Sequence, residues 1–391
     1  MSDKSIVFVS NTSEFFVSHR LPLARHLAEL GWNIAIITDD GPYGEHLLAE
    51  GFDVYRTGFR RESAGIFGEV RNFLKISSII RRLAPEFVHN VALKSAVFGS
   101  FAARWSGDAI VINAITGLGL TFVAADRPLQ IRRFLVERLL RLALASSRCY
   151  SILQNRDDLE LLASRGIVDP SRAAVIYGSG VDAADYAVPE TRDTGSRLKV
   201  ILAARLLWSK GVGEFVAAAD ELKEAFPQTD FVLAGKVDTA SSDHIPENEL
   251  RRWTERANVT WIGYVEDMRS FLREADIVVL PSYYREGVPK VLIEAAMAGR
   301  PAVTTDSPGC REAVVHERTG LLVPPRDSGA LAQAIADLLR SEDYRRKLGE
   351  QARVHAMERF ELQQVLKQTT DVYEVAAQKT RKRRDRPMIS P

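Results

Sequence analysis

Residues Pro281–Gly299 read PSYYREGVPKVLIEAAMAG, and this stretch decides the fold class. An apolar run at Ile277–Pro281 with strand composition leads into a polar loop that carries Glu286. A helix then begins near Val288–Pro289, where proline fits because its missing N–H would have no partner in the first turn. The free N–H groups and the dipole of such a helix start favour an anion. The stretch therefore predicts a strand–loop–helix unit with an anion-binding end.

The same alternation of apolar strands and helical stretches extends in both directions from this unit. Continuous apolar strands between helices are typical of a parallel sheet that is covered on both faces. The polar, turn-rich residues 188–196 (VPETRDTGS) separate two such series. We therefore predict two doubly wound α/β domains, whose ligands would lie at strand carboxyl ends in the cleft between them. The predicted parts are an N-terminal domain (1–188), a C-terminal domain (189–360), a helix packing back on the first domain (361–378) and a basic, disordered tail (379–391).

Composition excludes several classes of protein. The 391 residues include 52 basic and 51 acidic side chains, for a net charge of +1, which excludes a histone-like polycation. Only two cysteines are present, without C-x-x-C spacing, so we expect neither a disulfide framework nor a zinc ribbon, and a reducing compartment. The first residues do not resemble a signal peptide, and there is no run of about 18 apolar residues. We expect a cytoplasmic enzyme.

A second stretch with chemical character is Ala203–Gly213, AARLLWSKGVG. Arg205 and Lys210 follow a buried strand, and glycines beside them let the backbone approach a ligand closely, an arrangement that suits a diphosphate. A solvated turn is the alternative interpretation. In the first stretch, Glu294 lies among apolar residues, so its carboxylate requires hydrogen-bond partners unless the helix exposes it.

Taken together, these motifs resemble the retaining family-four glycosyltransferases of GT-B fold, which have two facing Rossmann-like domains and a deep interdomain cleft. Glu286 and Glu294 are separated by seven residues, and Arg205 and Lys210 form an R-(x4)-K-G motif. Three further elements occur in the family's order: Gly178-x-Gly180-Val181-Asp182, Gly309-x-x-Glu312 and the run from Thr319 to Asp327.

The resemblance implies a role for each matched residue of the second domain. Arg205 and Lys210 would hold the donor diphosphate, Glu286 would face the donor sugar or its phosphate, and Glu294 would accept hydrogen bonds from the ribose hydroxyls. The neighbouring donor-binding positions would be Gly287, Val288, Pro289, Lys290 and Val291. No D-x-D motif lies at a predicted strand end, so we expect no metal and no cofactor, with positive side chains stabilising the leaving group.

The first domain would bind the acceptor. Phe15-Phe16-x-Ser18-His19-Arg20-x-Pro22 and the segment around Thr116 (NAITGLG, 113–119) resemble the subgroup that extends sugars on polyprenyl diphosphate. The resemblance makes His19, Arg20, Lys94 and Thr116 acceptor-binding candidates and adds His89 to the catalytic candidates Arg205, Lys210 and Glu286. A histidine packed on Phe16 is the alternative for His19, and a structural strand-end histidine is the alternative for His89.

The implied function is transfer of a hexose or N-acetylhexosamine from a nucleotide diphosphate sugar, with UDP the expected nucleotide, to a lipid diphosphate-linked saccharide in glycan synthesis. A nucleotide-sugar 2-epimerase and a catalytically silent membrane scaffold are the alternatives. Residues 128–148 predict either a basic amphipathic helix on an anionic membrane or a core helix with a solvated basic face. We expect peripheral contact with the inner face of the cell membrane and no nucleic-acid binding.

Overall fold

A computed structural model describes residues 4–60, 65–119, 122, 127–186, 197–256 and 258–384 of the chain. Contacts divide it into two compact units. Unit 1 contains the chain up to Ser179 and again from Gln363, and unit 2 contains Gly180–Leu362. The predicted boundary at residue 188 lies outside the described residues. No helix in the described ranges is long and apolar enough to cross a bilayer.

Unit 1 is built on a parallel sheet of seven strands in the order β3-β2-β1-β4-β5-β6-β7. Its central strands are buried along their whole length, because apolar residues occupy both faces. The strands are β1 (Ser5–Ser10), β2 (Asn33–Thr38), β3 (Asp53–Arg56), β4 (Phe87–Val91), β5 (Ile110–Ile115), β6 (Cys149–Leu153) and β7 (Ala173–Val175).

Helices cover both faces of this sheet. Val111 packs with helices α4 and α5, and Ile115 packs with α5 and α6. These two β5 residues are four positions apart and share a face, so α4, α5 and α6 lie on one side of the sheet. The helices of unit 1 are α1 (Ser13–His19), α2 (Leu21–Glu29), α3 (Gly44–Ala49), α4 (Gly65–Leu83), α5 (Ala92–Ser106), α6 (Arg127–Leu144), α7 (Arg156–Ser164) and α15 (Leu362–Arg384).

Unit 2 has its own parallel sheet of six strands, in the order β10-β9-β8-β11-β12-β13. The strands are β8 (Leu198–Ala203), β9 (Thr229–Ala234), β10 (Val259–Trp261), β11 (Ile277–Leu280), β12 (Ala302–Thr305) and β13 (Gly320–Val323). The helices are α8 (Val212–Leu222), α9 (Glu247–Arg256), α10 (Met268–Glu274), α11 (Lys290–Met297), α12 (Cys310–Ala313), α13 (Ser328–Arg340) and α14 (Glu342–Phe360). A continuous apolar core joins β8, β9, β11, β12 and β13 to α8 and α13.

Two features differ from the sequence-based expectations. Strand β3 has no apolar run from which the sequence could predict it, because DVYR is short, half exposed and at the sheet edge. Helix α15 continues to Arg384, through residues 379–384 that we had assigned to a disordered tail. Lys379 Nζ donates to the Ser171 carbonyl at 2.9 Å, and Arg381 lies 3.5 Å from Glu86. The end of the helix is therefore held against other residues of unit 1. The rest of that tail lies outside the described residues.

Candidate active site

The polar residues predicted in unit 2 gather where strands β8 and β11 end. These strands are parallel neighbours, with Ile277 aligned to Val200, so the loops that follow them leave the sheet side by side. Gly211 lies in the first loop with φ 75°, and a Cβ there would lie 2.3 Å from the Pro281 carbonyl oxygen. Glycine at this position therefore lets the two loops approach closely.

Lys210 and Glu286 form a buried ion pair across these loops. Lys210 Nζ lies 2.5 Å from Glu286 Oε2, and the two side chains are only 12% and 10% exposed. The Ser282 hydroxyl donates to the other carboxylate oxygen, Oε1, at 2.6 Å. Each Glu286 oxygen thus accepts a hydrogen bond, which offsets the cost of burying the charge.

Arg205 is also held by a carboxylate. Its Nη1 lies 2.8 Å from Asp238 Oδ2, and the Arg205 side chain is 39% exposed. Asp238 was absent from the sequence-based candidates. The signal that marks it is its place soon after strand β9, since the carboxyl ends of β8 and β9 share one edge of the sheet.

Glu294 lies on helix α11 and is 7% exposed. Lys290 Nζ is 3.3 Å from Glu294 Oε1, one helical turn away. Tyr186 donates its hydroxyl proton to the same carboxylate, and burial together with the Glu294 charge raises the pKa of Tyr186. The buried carboxylate therefore has the partners that its apolar surroundings require. Nothing local in the sequence singles out Tyr186.

The segment between the two glutamates forms the turn into α11. Val288 is buried, Pro289 is the N-cap, and no side chain caps the helix start. The first N–H groups of the helix, beginning with those of Lys290 and Val291, have no partner within the helix itself. Gly309 approaches this turn so closely that a Cβ there would lie 1.7 Å from the Gly287 carbonyl oxygen.

His89, a predicted catalytic residue, lies in the interior of unit 1. The residue is 1% exposed, and its Nδ1 is 2.7 Å from the Tyr373 hydroxyl of α15. Burial, reinforced by the Arg20 charge, lowers the pKa of His89 well below its usual value. The structure thus places His89 between the sheet and α15, and within the described residues its enclosed Nε2 has no hydrogen-bond partner. A catalytic role for His89 stays a prediction.

Arg20, a predicted acceptor ligand, belongs to the same interior cluster. It is 6% exposed, and burial lowers its pKa to about 10. Its charge also acts on Tyr373, whose pKa burial raises. Arg20 makes no ion pair with any carboxylate in the described part of the chain. Its neighbours therefore place it at the contact between α15 and the sheet rather than at an open surface.

The three remaining acceptor candidates lie elsewhere in unit 1. Lys94 Nζ donates to the Arg60 carbonyl at 2.6 Å and lies 2.8 Å from Glu69 Oε1, so it connects α5 to α4 and the loop before it. His19 stacks on Phe15, with ring centroids 4.1 Å apart. Thr116 follows β5 directly and is half-buried.

Acidic, histidine and cysteine side chains are the groups that would form a metal centre. Among the residues that the structure describes, no group of three or more of them could hold a metal ion. The two cysteines, Cys149 and Cys310, are both buried and unbridged.

Each half of the chain matches a glycosyltransferase family model. A model described as "Glycosyl transferase 4-like" matches residues 5–149, and one described as "Glycosyl transferases group 1" matches residues 189–355. The chain belongs to the family-four glycosyltransferases. This glycosyltransferase is a hexosyltransferase of GT-B fold, as its motifs predicted, and the comparisons do not favour the epimerase alternative.

Individual relatives of this glycosyltransferase span most of its length. An N,N'-diacetylbacillosaminyl-diphospho-undecaprenol alpha-1,3-N-acetylgalactosaminyltransferase of Campylobacter jejuni is 26% identical over 364 residues, covering 90% of this chain and 94% of the relative. A UDP-Gal:alpha-D-GlcNAc-diphosphoundecaprenol alpha-1,3-galactosyltransferase of Escherichia coli is 23% identical over 279 residues, 68% and 70% of the two chains. A solved sucrose-phosphate synthase of Thermosynechococcus elongatus has the same fold, with a TM-score of 0.78, 21% identity and coverage of 95% and 98%.

Proposed function

We propose that this glycosyltransferase moves a hexose or N-acetylhexosamine from a UDP-sugar to a lipid diphosphate-linked saccharide, with retention of anomeric configuration. Two relatives are named as transferases that act on undecaprenol diphosphate-linked sugars, and one of these names specifies UDP-galactose. The observation that carries the proposal is the set of fixed positive groups in unit 2: Arg205, Lys210 and the start of helix α11.

These groups suit a departing nucleoside diphosphate. Negative charge grows on the phosphate oxygens as the bond to the sugar breaks, and donors fixed in advance stabilise that charge without reorganising. Lys210 carries three N–H donors and Arg205 carries five, so each can bind phosphate oxygens while keeping its carboxylate partner. Helix α11 adds backbone N–H groups and the positive end of its dipole.

The carboxylates in this cluster have separate tasks. Glu286 holds the Lys210 ammonium in position, and Asp238 does the same for Arg205. Glu294, positioned by Tyr186 and Lys290, accepts hydrogen bonds from the ribose hydroxyls. The turn at Gly287–Pro289 brings the backbone beside the donor sugar.

Since the protein supplies this positive charge, turnover requires no divalent ion. The donor's own phosphate oxygen takes the acceptor proton, so no dedicated carboxylate base is needed. The diphosphate-linked acceptor binds to unit 1, with His19 and Thr116 as its contacts, at the cytoplasmic face of the membrane. Arg20 and His89 are enclosed between the sheet and α15, and Lys94 connects α5 to α4.

The test combines a panel of nucleotide sugars with a membrane lipid extract, with and without chelator, and follows the lipid fraction by mass spectrometry. We expect one UDP-sugar to add one glycosyl residue to a lipid, equally fast with chelator, and NMR of the product to show the donor's anomeric configuration. An inverted product or loss of turnover with chelator would contradict the mechanism. Donor conversion without acceptor would indicate an epimerase, and donor binding without any product would indicate a silent scaffold.

A further inference from the structure

Three helices of unit 1 leave an unusually apolar outer surface. The docking face, as we name it, consists of Ile66, Phe67, Val70 and Leu74 on α4, Trp105 on α5, and Phe134, Leu135, Leu139 and Leu142 on α6. Phe67 is 92% exposed and Ile66 is 82% exposed. These nine residues are more than half of the seventeen exposed large apolar side chains in the described ranges. Such a concentration marks an interaction surface, whereas scattered exposed residues would need no explanation.

A groove lies within this surface. Phe73, Phe101, Arg104 and Trp105 line a space of about 530 Å³ between α4 and α5. Phe73 and Trp105 meet edge to face, with centroids 5.8 Å apart, and the Arg104 guanidinium lies 5.0 Å from the centre of the Phe101 ring. The groove is thus an aromatic-lined depression with a cation at its border.

Helix α6 contributes to this surface in addition to its role in the core. Leu140, Ala143 and Leu144 face the interior, while Phe134, Leu135, Leu139 and Leu142 are each about half exposed. A core helix with a solvated basic face would carry polar residues at those outward positions. The interpretation of residues 128–148 as a surface-binding amphipathic helix fits this arrangement better.

Charge identifies the kind of partner. Helices α4, α5 and α6 contain eleven basic and two acidic residues, whereas the rest of the chain has 41 basic and 49 acidic residues. Both acids are already paired, Glu69 with Lys94 and Glu137 with Arg133 and Arg165. Arg71, Lys75 and Arg104 make no ion pair with a carboxylate in the described ranges. The surface therefore requires an apolar partner with negative charge at its boundary.

An anionic bilayer has that chemistry, with acyl chains beneath negatively charged headgroups. A second copy of this chain does not, since two such faces would bring Arg71, Lys75 and Arg104 of one copy towards the same cations of the other. We propose that the docking face inserts into the surface of an anionic membrane, with Phe67 and Leu74 among the acyl chains and Arg71 and Lys75 at the headgroups. This rests on the proposed function in one respect: a lipid-linked acceptor must be met at a membrane.

Vesicle binding tests the proposal with the full chain and without any sugar donor. The probes are vesicles of phosphatidylcholine alone and vesicles that also contain phosphatidylglycerol. We expect the protein to bind the anionic vesicles at least roughly tenfold more tightly, and the double variant F67S/L74S to lose roughly 100-fold or more in vesicle affinity. The variant R71Q/K75Q should lose roughly 30-fold in vesicle affinity at low salt, because each basic residue near anionic lipid contributes roughly fivefold.

Matched variants distinguish the docking face from a general effect of removing exposed apolar or basic side chains. V354S/M357S removes two exposed apolar residues of α14, and R251Q/R252Q removes two exposed cations of α9; both should bind vesicles like the unaltered protein. Absence of binding by the unaltered protein would overturn the proposal. So would equal losses in the matched variants, or a loss only after deletion of residues 385–391. If the protein formed dimers that F67S/L74S dissociates, and only these dimers bound vesicles, the docking face would contact a second copy of the chain instead.

Because this assay contains no donor, its outcome is independent of the proposed chemistry. A protein that binds anionic vesicles through α4 and α5 but transfers no sugar would retain the docking face and contradict the proposed function. If the unaltered protein transfers sugar to lipid and F67S/L74S binds vesicles as tightly as it does, the docking-face proposal alone is contradicted.

Discussion

Lys210 Nζ lies 2.5 Å from Glu286 Oε2, although the two residues are 76 positions apart in the sequence. The contact exists because β8 and β11 are adjacent parallel strands, whose carboxyl ends lie on one edge of the sheet. Two motifs that are separate in the sequence, R-(x4)-K-G and E-(x7)-E, thus form one site. Under the proposed function, this buried pair holds the Lys210 charge where the leaving diphosphate gains negative charge.

Replacing Lys210 by alanine should therefore reduce kcat more than it raises the donor KM. Loss of one fixed donor to a developing negative charge costs about 10²–10³-fold in rate. Steady-state kinetics over a range of donor concentrations up to saturation measures both constants. Lys223→Ala is the matched variant, because Lys223 is exposed and forms an ion pair with Asp220 of helix α8, and it should leave kcat unchanged. Near-full turnover by the Lys210 variant would refute the assignment.

The Tyr186–Glu294 contact predicts a graded effect on donor binding. Glu294→Gln keeps the size of the side chain but loses the charge and should lower kcat/KM for the donor roughly tenfold or more, since hydrogen bonds to charged groups contribute about 1.5–3 kcal/mol. Tyr186→Phe removes only the supporting hydroxyl and should raise the donor KM a few-fold, with kcat nearly unchanged. Tyr344→Phe on α14 provides the comparison for hydroxyl loss elsewhere in unit 2. Equal donor KM in all three variants would exclude the ribose role.

Burial of His89 predicts that acid destabilises unit 1. The folded protein keeps this ring neutral because its pKa is well below the usual value, whereas the unfolded chain takes up a proton near the ordinary pKa of about 6.5. The unfolded state then binds more protons, so the free energy of unfolding falls as pH drops below about 6.5, by up to about 1.4 kcal/mol per pH unit.

Urea unfolding between neutral pH and pH 5 measures this slope. His89→Gln should be less stable at neutral pH, because Tyr373 loses its imidazole partner, but its stability should depend less steeply on pH. His46→Gln alters a half-exposed ring and should retain the slope of the unaltered protein. A slope in His89→Gln equal to that of the unaltered protein would contradict the burial argument.

Close contact at Gly309 predicts a second difference between matched variants. Gly309 and Gly51 both have a positive φ, of 87° and 85°, so alanine at either position costs on the order of 1–3 kcal/mol of backbone strain. Only at Gly309 does the added Cβ meet another atom, the Gly287 carbonyl oxygen at 1.7 Å; at Gly51 nothing lies within 4 Å.

Gly309→Ala must therefore displace the turn that leads into α11. We expect it to lose roughly a further 1–3 kcal/mol of stability and to weaken donor binding, whereas Gly51→Ala should change stability alone. Isothermal titration with the donor, together with thermal unfolding, distinguishes the two effects. Equal donor affinity in the two variants would show that the Gly287 turn does not contact the donor.

The sequence predicts an element well where residue chemistry and the spacing of apolar residues agree within one segment. The stretch from Ile277 to Gly299 predicted a strand, a loop and a helix, and β11 and α11 lie within it. Glu294 was expected to need hydrogen-bond partners because its neighbours are apolar, and Lys290, one turn away, is one of them. Residues four positions apart on a helix are neighbours, so this contact depends on local spacing alone.

Contacts between distant segments could not be predicted in this way. Asp238 and Tyr186 reach Arg205 and Glu294 from other elements, and no local pattern distinguishes them from surface residues. His89 carried a family signature, yet its partner is Tyr373, 284 positions later on α15. Its burial depends on that helix covering the strand, which the strand's own residues do not encode.

The sequence by itself determined the alternating α/β elements, the two glutamates and the cations that follow β8, because these depend on residue type and local spacing. Only the tertiary structure decided which charges pair, which polar groups are enclosed, and that the outer side of α4, α5 and α6 is left apolar and basic. Burial and pairing are properties of the packed chain: a side chain's solvent contact depends on which distant segment lies against it.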